Sequence, residues 1–330
     1  LAFNNKYHLT LEQELPDKFA TVIQPFWRKH AEINHFSGVD GVSISYASLC
    51  QGHPKALVLV PGRIESYLKY QELAFDLSQQ GYDIFIIDHR GQGYSGRMTQ
   101  DPQHGFVDSF DDYVNDFALW LDLLPLEQYT QRHLIAHSMG ATIASLYLTL
   151  HHDRFDKAAL CSPMFDINLG PFRPQMALSI TAASIKSRTM MGWSTQYAPG
   201  QGPYQNRPFA NNDLSQSESR YHFFRQLYES HPEIKVGGAT HQWVNQAIQA
   251  ADRAITQASQ IRTPLLVLQA AKDRVVNAPG QDQFCRNLLQ AGNPCFDEEP
   301  IVIGHAQHEL LNERDKYRVP SLNYILDFFQ

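Results

Sequence analysis

The stretch Leu134-Ile135-Ala136-His137-Ser138-Met139-Gly140-Ala141 decides the fold. A short apolar run ends in a serine set between small residues, and a helix-like stretch over 139–150 follows at once. This is the sequence form of a nucleophile elbow, a tight strand-to-helix turn that lifts a serine Oγ above a parallel sheet. Small residues two before and two after the serine let such a turn pass close to neighbouring backbone. Gly140 meets that need, while Ala136 departs by one methyl group from the leading glycine of G-x-S-x-G.

Outward from the elbow, short apolar runs alternate with amphipathic helical runs. Buried parallel strands are expected at 56–60, 84–87, 133–136, 157–161, 265–269 and 300–303. Helices are expected at 68–80, 110–124, 139–150, 242–258, 280–291 and 319–329, after a leading helix over 17–29. Alternating polar and apolar residues at 31–36 and 42–49 predict an antiparallel entry hairpin. The expected fold is therefore α/β, a mostly parallel central sheet with helices on both faces.

The rhythm breaks between residues 165 and 236. That stretch is dense in Gly, Pro, Asn and Gln from 192 to 213 and carries Trp193, Tyr197, Tyr204, Phe209, Tyr221, Phe223, Phe224 and Tyr228. A structureless insertion of this length is disfavoured inside a compact domain. The reading is an inserted, mainly helical cap or lid over 165–236, with exposed aromatics roofing an apolar pocket. Residues 1–164 and 237–330 would form the body.

Composition limits the function. A net charge of −7 argues against a nucleic-acid partner, because phosphate backbones demand a basic face. The longest apolar runs are strand-sized, too short to cross a membrane, and the first residues lack the basic-then-apolar layout of a secretory signal. Four scattered cysteines without a C-x-x-C pair fit reduced thiols in a cytoplasmic protein, although Cys285 and Cys295 are near enough in sequence to bridge. Fifteen histidines include no H-E-x-x-H spacing, so no metal is expected. The glycines of Asp88-His89-Arg90-Gly91-Gln92-Gly93-Tyr94-Ser95-Gly96 do not make a true G-x-G-x-x-G, so this loop reads as a buttress of the site rather than a nucleotide cradle.

A serine hydroxyl needs a base to take its proton and a third group to orient the base. In chain order, Asp273 follows the 265–269 strand, and His305 and His308 both follow the last strand, so either histidine could serve. The oxyanion needs backbone donors. Met139 supplies one, and the turn at Pro61-Gly62 leaves the Arg63 N–H free to supply the other.

The elbow, the D-H-R-G-Q-G-x-S-G loop, Asp273 and the late His-Glu-Leu resemble the α/β-hydrolase superfamily, in its monoacylglycerol-lipase-like branch. Pro61-Gly62-Arg63-Ile64-Glu65-Ser66-Tyr67, Ala136-His137-Ser138-Met139-Gly140, Gly237-Gly238-Ala239-Thr240-His241-Gln242-Trp243-Val244 and Asp273-Arg274-Val275-Val276 are similar to the bacterial lysophospholipase L-two family. The resemblance implies a triad of Ser138, Asp273 and His308, with Arg63 and Met139 amides as the oxyanion hole. His308 is preferred to His305 because Glu309-Leu310 keeps the family register; His305 stands where such sequences usually carry glycine. The implied reaction is ester hydrolysis of a lysophospholipid without metal or organic cofactor. Substrate contacts are expected from Arg63, His137, Trp243 and Arg274, and a head-group phosphate from one of Arg63, Arg220, Arg225 and Arg274. The alternatives are a monoacylglycerol lipase or general carboxylesterase, or, in another class, a binding module that has lost catalysis. The protein is expected in the bacterial cytoplasm, touching the inner membrane peripherally, with no obligate protein partner.

Overall fold

The computed structural model describes residues 3–330. The body expected over 1–164 thus begins with two residues that lie outside the described ones. Eight strands make one sheet: β1 (Ala31–Ser37), β2 (Ser43–Leu49), β3 (Lys55–Val60), β4 (Tyr82–Ile87), β5 (Gln131–His137), β6 (Lys157–Cys161), β7 (Leu265–Ala270) and β8 (Ile301–Ile303). Their order is β1-β2-β4-β3-β5-β6-β7-β8. The β1–β2 hairpin enters antiparallel at one edge, and every pair from β4–β3 to β7–β8 is parallel.

The helices are α1 (Leu15–Lys18), joined by a π-helical turn at Phe19–Ile23 to α2 (Gln24–His30), then α3 (Gln71–Ser78), α4 (Phe110–Leu123), α5 (Met139–Leu148), α6 (Pro174–Met191), α7 (Glu218–Ser230), α8 (His241–Thr256), α9 (Ala278–Gln290) and α10 (Asp315–Phe329). They cover both sheet faces, and the strand period of two decides which side chain goes where. Val58, Val60, Leu134 and Ala136 pack with Phe117, Trp120, Ile143 and Phe284 on one face. Leu57, Leu59 and Ile135 pack with Leu73, Leu77, Leu322 and Ile325 on the other. Each such aliphatic side chain contributes about 1.5–3 kcal/mol by leaving water, which is why the inner strands read as unbroken apolar runs.

Two boundaries differ from expectation by three residues or more. The run at 68–80 opens as a 3-10 turn over Tyr67–Tyr70, because the Tyr67 N–H is drawn to the Asp88 carboxylate at 2.6 Å. The last helix starts at Asp315, leaving Pro320 inside it. Buried Arg318, bonded to Asp76 and the Leu311 carbonyl, ties down that extra first turn. Cys285 and Cys295 are buried free thiols, not a bridge.

Between β6 and α8 the chain carries α6 and α7 with irregular backbone between them. Gly192 ends α6 at φ 65°, a left-handed conformation that glycine adopts without penalty. Asn245 of α8 donates to Thr181 Oγ1 at 2.9 Å, fastening α6 to the body. Tyr221, Phe224 and Tyr228 are buried with Ile234 in a small core of their own, against Leu68 and Tyr94. These three rings are therefore not exposed, whereas Trp193 is, at 59%.

Candidate active site

The elbow begins where β5 stops. Ser138 sits at φ 52°, ψ −117° between His137 and the first residue of α5. A non-glycine residue there costs on the order of 1–3 kcal/mol and persists only where neighbours over-determine it. The Ser138 N–H donates to the Cys161 carbonyl at 3.0 Å, and its own carbonyl accepts from Ala141 and Met164 N–H groups. A Cβ on Gly140 would collide with the carbonyls of Val60 and Pro61, so the end of β3 can pass the turn only over a glycine.

Ser138, His308 and Asp273 form one hydrogen-bonded chain. His308 Nε2 lies 2.9 Å from Ser138 Oγ, and Nδ1 lies 2.7 Å from Asp273 Oδ2. The other Asp273 oxygen accepts from the Val275 and Val276 N–H groups at 2.8 and 3.0 Å. Burial would raise the Asp273 pKa, but His308 and these donors overrule it and hold the carboxyl below its usual range. A carboxylate so fixed holds the imidazole in the orientation that points Nε2 at the serine oxygen. His305 lies on the exposed side of the same loop at φ 64°, its carbonyl accepting from Gln216.

Across from the elbow, the turn after β3 is braced. Among the described residues, the Arg63 and Met139 N–H groups donate to no group within the chain. Gln92 clamps the turn, donating to the carbonyls of Gly62 and Glu65 at 2.7 and 2.9 Å and accepting from the Ile64 N–H. His89 donates through Nε2 to the Pro61 carbonyl at 3.0 Å, and burial pushes its pKa down to about 4. Asp88 accepts from Tyr67, Tyr94 and Ser66. The 88–96 loop is a buttress, as its sequence reads.

His137 does not face the open site. It lies behind Ser138, with Nδ1 3.2 Å from the Glu65 carboxylate and Nε2 3.3 Å from the His308 carbonyl oxygen. Both ring nitrogens meet acceptors, which only the doubly protonated ring satisfies. Lys69 bridges Glu65 and Glu309 at 2.8 and 2.7 Å beneath it. Burial works against the imidazolium, yet Glu65 outweighs it and the His137 pKa is raised. Burial likewise opposes the Glu65 carboxylate, but Lys69 and His137 hold it well below the ordinary range. The expectation that His137 contacts substrate is thereby corrected.

A testable pH effect follows from this cluster. A histidine whose folded pKa exceeds its unfolded value stabilises fully below the unfolded pKa, about 6.5, and loses that contribution as pH rises through the raised value. The wild type should therefore lose part of its thermal-stability advantage over His137→Gln as pH climbs. Melting temperatures of both proteins across neutral to alkaline pH check this; an advantage that grows with pH would refute the charged ring.

An apolar cavity of ≈ 500 Å³ opens beside Ser138, lined by Met164, Ile167, Phe172, Ile180, Trp243 and Val276 among others. The Arg63 guanidinium lies 5.2 Å over the Trp243 ring and donates to the Gly237 carbonyl at 3.2 Å. Arg274 is exposed and pairs with Asp213 at 3.1 Å. Arg220 is not at a mouth at all: it is buried and spent on Glu72 and Asp315 at 2.8 and 3.0 Å.

Residues 52–315 match the family model described as Serine aminopeptidase, S33 (Hydrolase_4). The chain is 40% identical over 313 residues to Lysophospholipase L2 of Escherichia coli (strain K12), covering 92% of this chain and 88% of that protein. It belongs to this hydrolase family. Probable lysophospholipase L2 of Haemophilus influenzae is 35% identical, covering 89% of this chain and 91% of that one. A soluble variant of monoglyceride lipase from Saccharomyces cerevisiae, solved with a substrate analogue, superposes with a TM-score of 0.67 at 16% identity, over 91% of this chain and 95% of that one, and so shares the fold. The family's α/β-hydrolase architecture, with its sheet and crossing helices, is the one described above.

Sequence reasoning missed the parts of this hydrolase that brace the site. Gln92 carried no signal beyond its loop. Glu65 and Lys69 stand four apart, a spacing that pairs charges on one helical turn, but their meeting with Glu309 and His137 depends on the assembled sheet. Among the described residues, no helix is long and apolar enough to cross a membrane.

Proposed function

We propose that this hydrolase cleaves the single acyl ester of lysophospholipids. His308 deprotonates Ser138, whose oxygen attacks the ester carbonyl; Asp273 steadies the imidazolium, and the Arg63 and Met139 N–H groups receive the oxyanion. His308 returns the proton to the leaving glycerophospho-alcohol, then activates the water that frees the fatty acid from Ser138. The observation that carries the reading is the hydrogen-bonded Ser138–His308–Asp273 chain opening directly on the ≈ 500 Å³ apolar cavity. The lysophospholipase L2 relatives supply the substrate class.

In this reading residues 165–236 are a cap, with α6 roofing the acyl chain, because Ala177, Ile180 and Thr181 line the cavity. The substrate resides in a bilayer, so contact with the membrane surface is peripheral and reversible. A fluorophosphonate probe tests the proposal. It should label Ser138 stoichiometrically and abolish fatty-acid release from lysophosphatidylethanolamine in proportion. Labelled protein that still hydrolyses the lysolipid would overturn it.

A further inference from the structure

A second cavity, of ≈ 410 Å³, adjoins the apolar one, and the two share Arg63, Gln201 and Val275. Arg207, Arg225 and Arg274 also line it, and Asp213 is its one acidic residue. Asp213 is already paired with Arg274. Among the described residues, Arg63, Arg207 and Arg225 have no carboxylate within ion-pair distance, unlike Arg220, which has two.

Arg225 is held without being neutralised. The rings of Tyr221, Phe224, Tyr204 and Tyr228 surround its guanidinium at 5.0, 5.5, 5.7 and 6.0 Å. Its hydrogen bond to the Gln205 carbonyl is long, at 3.4 Å, and its buried Nε has no partner. Ring faces offset part of the desolvation of a cation and fix its direction. Leaving the half-buried Arg225 beside this cavity without a counter-ion is unfavourable until an anion arrives, while Arg207 waits exposed at the rim. A guanidinium presents two parallel donors, the match for a phosphate's paired oxygens.

We propose that this cavity is a phosphate subsite, which holds the phosphodiester of the departing head group while the acyl chain lies in the apolar cavity. Arg63, at the junction, stands between the ester at Ser138 and the phosphate, and Arg225 and Arg207 complete the cradle. This rests on the lysophospholipid reading above and assigns the residues that distinguish such a substrate from a neutral single-chain ester.

The test compares KM for lysophosphatidylglycerol and for a monoacylglycerol of the same chain, in wild type, Arg207→Gln, Arg225→Gln and Arg225→Lys. Losing a charged hydrogen bond to phosphate is worth on the order of tenfold in affinity or more. The two glutamine variants should raise the ratio of lysophospholipid KM to monoacylglycerol KM by roughly that factor, and the lysine variant should recover part of it. Glycerophosphoglycerol should inhibit the wild type competitively and Arg225→Gln more weakly. An unchanged ratio in both glutamine variants would sink the subsite while leaving the hydrolase reading intact. A wild type inert toward both esters would instead sink that reading. Inorganic phosphate inhibiting as well as glycerophosphoglycerol, with no change in the KM ratio, would mark a free-phosphate site and overturn the head-group assignment.

Discussion

Ser138→Ala is expected to lower kcat for lysophospholipid hydrolysis by on the order of 10⁴–10⁶-fold while leaving the melting temperature nearly unchanged. The hydroxyl is the atom that His308 Nε2 reaches at 2.9 Å, and no second hydroxyl takes its place in that chain. The turn itself is fixed by backbone bonds from the Ser138 N–H and carbonyl, which alanine keeps. The strain at φ 52° is likewise unaltered, since it belongs to the backbone and not to the Oγ. Turnover measured beside a thermal melt separates lost chemistry from lost fold. More than a few per cent of residual activity would mean that another group attacks the ester.

His308→Ala should be nearly as severe, and His305→Ala should leave kcat within about twofold. Losing a base that acts as one unit with its nucleophile costs about as much as losing the nucleophile. His308 bonds both Ser138 and Asp273, whereas His305 offers the site nothing: its ring is on the exposed side and only its carbonyl is engaged, by Gln216 at 2.7 Å. The positive φ at His305 explains why a glycine suits that position. Paired kinetics on the two variants check the assignment; the reverse ranking would move the base.

Much of this was legible because the relevant forces are local. Short apolar runs mark strands that lie between two helical layers, and the clash that only Gly140 avoids belongs to the elbow itself. Where the sequence misled, partners far apart in the chain decided the outcome. Arg220 reads as a surface cation until Glu72, 148 residues away, takes its charge. Tyr221, Phe224 and Tyr228 looked exposed in a polar stretch, yet their spacing is that of one helical face, a signal that could have placed them in a core. His137 gives no local sign of its role, since its acceptors come from the turn after β3 and the loop after β8. Arg207 and Arg225 gain their meaning only from the cavity that folding assembles around them.

The most direct measurement of the central claim, a serine hydrolase built for one acyl chain, is the rate of fatty-acid release from lysophosphatidylethanolamine against that from its diacyl counterpart in mixed micelles. The ≈ 500 Å³ apolar cavity is the one beside Ser138, and its neighbour is lined by arginines. A second chain would leave methylenes unburied, at roughly 0.8 kcal/mol each, and three or four suffice for about a 100-fold penalty. The expected result is a preference for the lysolipid of at least that order, lost in Ser138→Ala. Comparable rates on the two lipids, with detergent removing any limit from extraction, would contradict it.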